Sequence, residues 1–243
     1  MNRPSHTTFV LALLVLALLA AGPVRPAAAG SSWPAPVLGG QLRYWVFDDH
    51  NDLRDPLVYW IGGPVVVQLE YWDYRAPDSH DHFRPELHFR AKDARRSSYD
   101  VGWRGEYHRS RFMLGTEQIL AEQWVGRAEI DPIVWTDSSQ VVVLGGLDYY
   151  WASYDFASAG VIRDPRAGGT WAFPLRVRLA RETNDWLQLT VVPTTERTLG
   201  WAIDAKWRVV RLGIERNSRY DFTDRDNVIF TLGFEAPFPK RTE

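Results

Sequence analysis

Apolar and polar residues alternate with a period of two along most of the chain after residue 40. The C-terminal third shows this most clearly, because Leu175, Val177 and Leu179 form one row and Arg176 and Arg178 lie between them. The same alternation recurs in residues 187–191, 199–208 and 228–234. A period of two places successive side chains on opposite faces of a β-strand, so the sequence predicts an all-β fold.

Two classes of β-protein share this alternation. In a soluble sandwich the apolar row packs a dry core and the polar row meets water. In an outer-membrane barrel the apolar row faces lipid and the polar row lines the interior, so charged residues recur inside strands. The period alone does not separate the two classes, and the start of the chain and the placement of its aromatic residues favour the barrel.

The first 29 residues have the composition of a secretory signal peptide. Arg3 supplies a positive charge, residues 9–21 form an unbroken apolar run, and residues 27–29 are three alanines suited to signal peptidase. The apolar run is too short for a membrane-spanning helix. Cleavage after Ala29 leaves 214 of the 243 residues, enough for one all-β domain.

Composition excludes several other classes. The net charge of −2 and the lack of a basic tract argue against a nucleic-acid partner. The chain has no cysteine, which excludes disulfides and lipid attachment at an N-terminal cysteine. No later segment has the apolar length of a membrane helix, so a mature chain that spans a membrane does so as a closed barrel, which satisfies every backbone group.

The chain is rich in aromatic residues, with 12 Trp, 10 Tyr and 11 Phe. Tyrosine and tryptophan cluster at the ends of apolar runs, at 44–45, 59–60, 71–72 and 149–151. Such positions are typical of the aromatic girdles at the two membrane interfaces of a barrel. The alternative is a soluble secreted or periplasmic β-protein that binds glycan through exposed Trp and Tyr.

The predicted architecture is a single closed antiparallel up-and-down β-barrel of the outer-membrane type. We expect about 12 strands, because bacterial barrels of this type have an even number. Residues 30–40 are predicted to be a flexible N-terminal segment, 41–235 the barrel and 236–243 a C-terminal extension. Residues 199–216 are either one long strand or a hairpin that turns near residues 205–207, and Pro85 weakens the strand predicted over 83–91.

The polar rows of the strands form the predicted interior. Its lumen-lining residues are Glu86, His88, Arg90, Arg104, Glu106, His108, Arg127, Glu129, Arg176, Arg178, Asp204, Lys206 and Arg208. The predicted lipid-facing residues are Leu87, Phe89, Val101, Trp103, Leu175, Val177, Leu179, Trp201, Ile203, Phe230 and Leu232. Opposite charges on one face neutralise each other, which makes a lumen filled by ion pairs the leading interpretation.

A lipid-modifying enzyme is a second alternative. In it, His88 or His108 works with Glu86 or Glu106, because a histidine beside a carboxylate activates a serine or a water molecule. The sequence contains no G-x-S-x-G motif to support it. We therefore predict no catalytic residue.

Three acidic segments are more typical of turns and loops than of metal-binding sites. They are residues 78–82 (DSHDH), the set Asp221, Asp224, Asp226 and Asn227, and the set Asp48, Asp49, Asp52 and Asp55. Their spacing matches neither a closed zinc site nor an EF-hand loop. Asp and Asn are common turn residues, so neither a metal nor a cofactor is predicted.

Four segments resemble the YaiO-type family of outer-membrane β-barrels, and the resemblance covers roughly residues 83–234. They are 124–129 (WVGRAE), 146–150 (GLDYY), 209–216 (VVRLGIER) and 227–234 (NVIFTLGF). The resemblance implies an outer-membrane location and a signal peptide, and it supplies no biochemical activity. Outer-membrane barrels commonly finish on an aromatic residue, whereas this chain continues beyond Phe234 to Glu243.

Together these patterns predict a small monomeric protein of the outer membrane of a Gram-negative bacterium. Its charged lumen is expected to be largely filled, with a structural or binding role or the passage of a small solute. The expected partners are outer-membrane lipid and, during biogenesis, the barrel assembly machinery.

Overall fold

The computed structural model describes residues 33, 36–48, 52–74, 81–92, 97–136, 138–165, 169–182, 184–196, 199–217 and 226–237. Outside these ranges lie the predicted signal peptide, residues 238–243, and positions 49, 78–80, 221 and 224 of the three acidic segments. Within them, no helix has the length and hydrophobicity needed to cross a membrane.

The described residues form fifteen β-strands. They are β1 (Val37–Phe47), β2 (Leu53–Gly62), β3 (Val65–Tyr74), β4 (His82–Lys92), β5 (Ser98–Glu106), β6 (Arg109–Ala121), β7 (Trp124–Trp135), β8 (Ser139–Tyr150), β9 (Phe156–Asp164), β10 (Thr170–Ala172), β11 (Leu175–Glu182), β12 (Asp185–Pro193), β13 (Leu199–Trp207), β14 (Val210–Arg216) and β15 (Asn227–Pro237).

Fourteen of these strands form one closed antiparallel barrel. Strands adjacent in sequence pair with each other, β9 pairs with both β8 and β11, and β1 pairs with β15 to close the ring. The short β10 stands outside this ring order. It pairs with β9 at Thr170 and Asp164, and an isolated bridge joins Ala172 to Thr194, just after β12.

The prediction of a closed antiparallel barrel is therefore confirmed, and the expected count of about 12 strands is two too few. Residues 57–74 and 199–216 each lie in a hairpin with a two-residue turn. Gly63 and Arg208 adopt positive φ angles of 58° and 54° in those turns. For residues 199–216, the hairpin alternative is the one the chain adopts.

The barrel is longer than its predicted range at both ends. β1 begins at Val37, before residue 41, and β15 runs to Pro237, into the predicted extension. These two residues pair with each other, so the ladder continues where the alternation of the sequence has become indistinct. Proline is tolerated there because β14 pairs with β15 only as far as Phe234, so β15 is an edge strand at Pro237.

Pro85 limits one ladder without interrupting its strand. β4 pairs with β3 on both sides of Pro85, from Phe89 to His82, whereas its ladder with β5 begins at Glu86. Proline has no N–H to donate to β5, which explains the shorter ladder. The predicted weakening is confined to one neighbour.

The two ends of the barrel differ. We call the end that carries Val37 and Pro237 the termini end, and the opposite end the loop end. Connections at the termini end are two to five residues long, as at 63–64 and 208–209, whereas the β14–β15 connection at the loop end has ten residues, 217–226.

Candidate functional site: the barrel interior

A chain of buried ion pairs runs along the inner face from β1 to β5. Arg43 contacts Asp55 at 2.6 Å and also pairs with Glu70. Glu70 in turn lies 3.1 Å from Arg84, whose other nitrogen lies 2.6 Å from Glu106. Because each charge in this chain contacts an opposite charge, the cost of removing them from water is offset. We call these five residues the ion-pair ladder.

The ladder continues through Glu106 and Glu86. Glu106 also pairs with Arg109, and Arg104 of β5 pairs with Glu86 of β4. These contacts follow from the strand register, which places Glu86 opposite Arg104 and Glu106 opposite Arg109.

His88 lies between two carboxylates on the same wall. Its Nε2 is 2.7 Å from Glu86 and its Nδ1 is 3.0 Å from Asp100. An imidazolium donates from both nitrogens and satisfies both contacts, whereas a neutral ring donates from only one. The geometry therefore holds His88 as a bridge between two acids.

The rest of the interior wall carries separate ion pairs, which among the described residues are not linked into a chain. They are Arg111–Asp131, Arg127–Asp148, Arg211–Asp204 and Lys206–Glu235. Arg127 also donates to the Ser158 hydroxyl at 2.8 Å, and the Tyr59 hydroxyl donates to Glu235 at 2.7 Å.

Arg178 is held by aromatic rings. Its guanidinium carbon lies 4.4 Å from the centroid of Trp186 and 5.1 Å from that of Phe156, and it donates to the Gln188 side chain at 2.7 Å. Stacking of this kind suits the planar and weakly hydrated guanidinium group.

The structure brings most of the predicted lumen residues together on this inner face. Those that are buried or half-buried there are Glu86, His88, Arg90, Arg104, Glu106, Arg127, Glu129, Arg176, Arg178, Asp204 and Lys206. Two others do not belong to it. His108 and Arg208 are exposed turn residues with φ angles of 58° and 54°. The prediction was wrong for both, because the alternation was continued past the ends of β5 and β13 into the two-residue turns that follow.

The predicted lipid-facing residues lie on the opposite face. Those that are exposed are Val101, Leu175, Val177, Leu179, Ile203, Phe230 and Leu232. Leu87, Phe89, Trp103 and Trp201 are half-buried. The register places Leu87 opposite Trp103 and Phe89 opposite Val101, so each pair shares a face of the sheet.

The most deeply buried charges are not among the predicted lumen-lining residues. Arg43, Asp55, Glu70, Arg84 and Asp131 all have a relative exposure of 7% or less. Several inner rows, such as that of β1, mix charged and apolar residues, so a simple polar row was not visible. The signal in the sequence is the alternation itself, because Arg84 lies two residues before Glu86 and therefore faces the same side of β4.

The tyrosine–tryptophan pairs are divided between the two faces. Trp45 and Trp72 are buried inside the barrel, where they pack with Phe47, Leu53 and Ile229 near the loop end. Neighbours in a strand point in opposite directions, so only one member of each pair can face outward. Part of the predicted girdle is therefore an interior apolar cluster.

A second apolar cluster fills the same end of the interior from the other side. Its buried members are Ile133, Val142, Ile162, Ala172 and Val192. The interior toward the loop end thus combines these apolar clusters with the ion-pair ladder, since Arg84 lies over the Trp72 ring and Glu106 is the last residue of β5.

A cavity of about 600 Å³ lies in the interior toward the termini end. Arg90, Glu129 and Arg176 contribute charged groups to its wall, and Gly146 and Gly160 leave space on the side of β8 and β9. A side chain at Gly160 would meet the Gly145 carbonyl and Pro174 at 3.1 Å, so the wall is built closely around small residues there.

The acidic segments considered for metals have protein partners where the structure describes them. Asp55 pairs with Arg43, and Asp52 accepts a hydrogen bond from the Tyr44 hydroxyl at 2.6 Å. Hydrogen bonds from Asn217 and Arg216 lower the pKa of Asp226. In the described ranges, no group of three or more His, Cys, Asp or Glu residues could hold a metal ion.

Comparison with solved structures finds porins among the proteins with a similar fold. The KdgM porin superposes with a TM-score of 0.51 at 7% identity, over 81% of this chain and 98% of that one. The KdgM porin in complex with disordered oligogalacturonate gives 0.49 at 8% identity, over 83% and 99%. OprD of Pseudomonas aeruginosa gives 0.44 at 9% identity, over 84% and 94%.

No protein-family profile matches the sequence, and neither does any curated protein. The similarity therefore concerns the barrel fold, and the resemblance to the YaiO-type family stays a prediction.

Proposed function

We propose that the protein is an outer-membrane β-barrel that binds and admits small polar solutes through a narrow, charged interior. The observation that carries this proposal is the distribution of apolar and charged residues, which is the reverse of that in a soluble protein. Large apolar side chains are exposed on every strand of the closed ring except β9, while the ion-pair ladder is buried inside. A surface of this kind would be insoluble in water and is suited to lipid.

The aromatic residues support a membrane position. Trp124 and Trp207 are exposed near the termini end, and Phe83 and Trp171 near the loop end. They mark two bands separated by the length of the strands, as expected for interfacial girdles. Most strands of the ring have 9–13 residues, and a strand needs about 9–11 to cross a bilayer.

The connections support an orientation. Outer-membrane barrels have short periplasmic turns and longer extracellular loops. We therefore place the termini end in the periplasm and the loop end outside the cell. The interior cavity then lies on the periplasmic side.

The interior supports restricted rather than general passage. A barrel of fourteen strands lies between small barrels, whose interior is filled by side chains, and the water-filled porins of about 16–18 strands. Here the part of the interior toward the loop end is packed by the two apolar clusters and by the ion-pair ladder beside them. Solutes larger than the 600 Å³ cavity are therefore expected to be excluded.

The enzymatic alternative has less support. Both ring nitrogens of His88 contact carboxylates, and among the described residues no serine contacts this ring. His108, the other candidate, is exposed in a turn and contacts Tyr107, with ring centroids 3.9 Å apart and planes tilted by 57°.

The test combines fractionation with gel mobility and conductance. We expect the protein in the outer-membrane fraction, with a different mobility before and after boiling, and small ion-conducting events in planar bilayers. Recovery in the soluble periplasmic fraction without a mobility shift would contradict the membrane barrel. A heat-sensitive membrane barrel without conductance would retain the location and reject passage.

A further inference from the structure

Trp33 lies over two cations at the rim of the interior cavity. The Lys92 ammonium is 4.5 Å from the centroid of the Trp33 ring, and the guanidinium carbon of Arg90 is 5.3 Å away. Trp33 precedes β1 and also lines the cavity. The Trp33 side chain, which lies outside the barrel strands, therefore covers part of the opening of the cavity at the termini end, which we call the termini-end mouth.

The two cations differ from the arginines of the ion-pair ladder. Neither Arg90 nor Lys92 makes an ion pair with a carboxylate of the described residues. Asp100, which is opposite Arg90 in the strand register, contacts His88 instead. Arg90 donates to the backbone carbonyl of Gly63 at 3.0 Å, and its remaining partner is the Trp33 ring.

A tryptophan face is a weak partner for two cations compared with an anion. Cation–π contacts at exposed sites stabilise modestly, whereas charge-assisted hydrogen bonds to carboxylate or phosphate are shorter and stronger. A small anion that reaches the mouth therefore competes favourably with the ring.

We propose that Trp33 is a lid over the termini-end mouth of the cavity, and that small anions carrying carboxylate or phosphate groups bind Arg90 and Lys92 in its place. The placement of the lid and the binding of the anion are independent of passage. The effect on conductance rests on the proposed function.

The placement is tested by a disulfide. A β-carbon added at Gly63 would lie 3.9 Å from the β-carbon of Trp33, within the range of about 3.5–4.5 Å found in disulfides. The chain has no cysteine, so Trp33→Cys/Gly63→Cys forms an unambiguous pair. The control is Trp33→Cys/Gly169→Cys, because Gly169 also has a positive φ but lies at the loop end.

We expect oxidation to link residues 33 and 63 in barrels that keep their heat-sensitive mobility, and not to link 33 and 169. If both double variants keep that mobility and neither links, the lid is rejected, whatever the protein conducts. If the Gly63 substitution prevents folding, the placement is tested by labelling Lys92 with an amine reagent, because the Trp33 ring covers its ammonium. Trp33→Ala should label faster than the wild type, and equal rates would reject the lid.

Anion binding is tested by titrating the folded protein in detergent with inorganic phosphate. Trp33→Ala should bind phosphate about tenfold more tightly than the wild type, which is the factor expected from losing two weak cation–π contacts. Trp33→Ala/Arg90→Gln/Lys92→Gln should lose this binding. Equal affinity in all three proteins would reject the anion site.

Conductance measurements distinguish failure of the lid proposal from failure of the proposed function. Trp33→Ala should conduct more than the wild type and favour anions, whereas Trp207→Ala should not change either property. Trp207 is a matched control because it is at the same end and stacks on Arg208 at 5.3 Å, outside the cavity. If 33 and 63 link and phosphate binds but no variant conducts, passage fails and the lid stands. If the wild type conducts and Trp33→Ala does not differ from it, the lid is not a barrier and this proposal fails.

Discussion

Arg84 is the residue whose replacement tests the interior most directly. It is 2% exposed and connects two carboxylates, Glu70 at 3.1 Å and Glu106 at 2.6 Å. Its guanidinium carbon also lies 3.9 Å from the centroid of Trp72, which joins the ladder to the apolar cluster at the loop end. Arg84→Met keeps much of the side-chain volume and removes the charge.

The expected loss of stability follows from the charges left behind. Removing one partner of a buried ion pair typically costs about 3–5 kcal/mol, because the remaining charge is desolvated without compensation. Glu70 keeps Arg43 and Glu106 keeps Arg109, which favours the lower part of that range. The lost contact with Trp72 adds roughly 2 kcal/mol at a desolvated site. We therefore expect the free energy of unfolding to fall by about 3–5 kcal/mol.

The assay is urea unfolding of the refolded barrel in detergent or lipid, followed by tryptophan fluorescence. Arg54→Met is the matched control, because its side chain is 49% exposed and lies 4.0 Å from Asp73. An exposed pair contributes at most about 1 kcal/mol. If Arg84→Met loses no more stability than Arg54→Met, the interior is open to water at this depth and the buried ladder is rejected.

Two further predictions concern the outer face and the long loop. Leu189 points outward in the middle of β12 and is 49% exposed. Leu189→Arg should lower the free energy of unfolding in lipid by about 2–4 kcal/mol, measured by the same urea unfolding. An effect near zero would contradict a lipid-facing β12. The pKa of Asp226 is lowered in the folded protein by Asn217 and Arg216, so its contribution is complete above the ordinary aspartate pKa and is lost as the pH falls through the lowered value. Asp226→Asn should therefore reduce the small loss of stability seen on acidification, and an unchanged pH dependence of unfolding would contradict this role.

The fold class was predictable because alternation is a property of local sequence. Leu175, Val177 and Leu179 report one face of a strand without any knowledge of its neighbours. The number of strands was less accessible. A two-residue turn such as that at Arg208 changes the direction of the chain without interrupting the alternation on either side.

The interior was predictable in kind and not in detail. The polar parity of β4 and β5 indicated that Glu86 and Arg104 share a face, and the register brings them together. The ladder around Arg43 and Arg84 depends on contacts across successive hairpins, from β1 to β5. Its partners are set by the register of several hairpins at once, which no local pattern contains. Trp33 was not singled out, because it lies in a segment without periodicity.

The seam between β1 and β15 has a consequence for how the chain is synthesised. The eleven residues of each strand pair over their whole length, from Val37 with Pro237 to Phe47 with Asn227. Contacts between such distant parts of a chain form slowly, because the entropy of closing the loop must be overcome first. Until the last strand has been made, the first has an unpaired edge that neither lipid nor a partial sheet can satisfy. In the outer-membrane barrel that we propose, the chain therefore reaches the membrane without its closed ladder, and pairing of β1 with β15 is a late event.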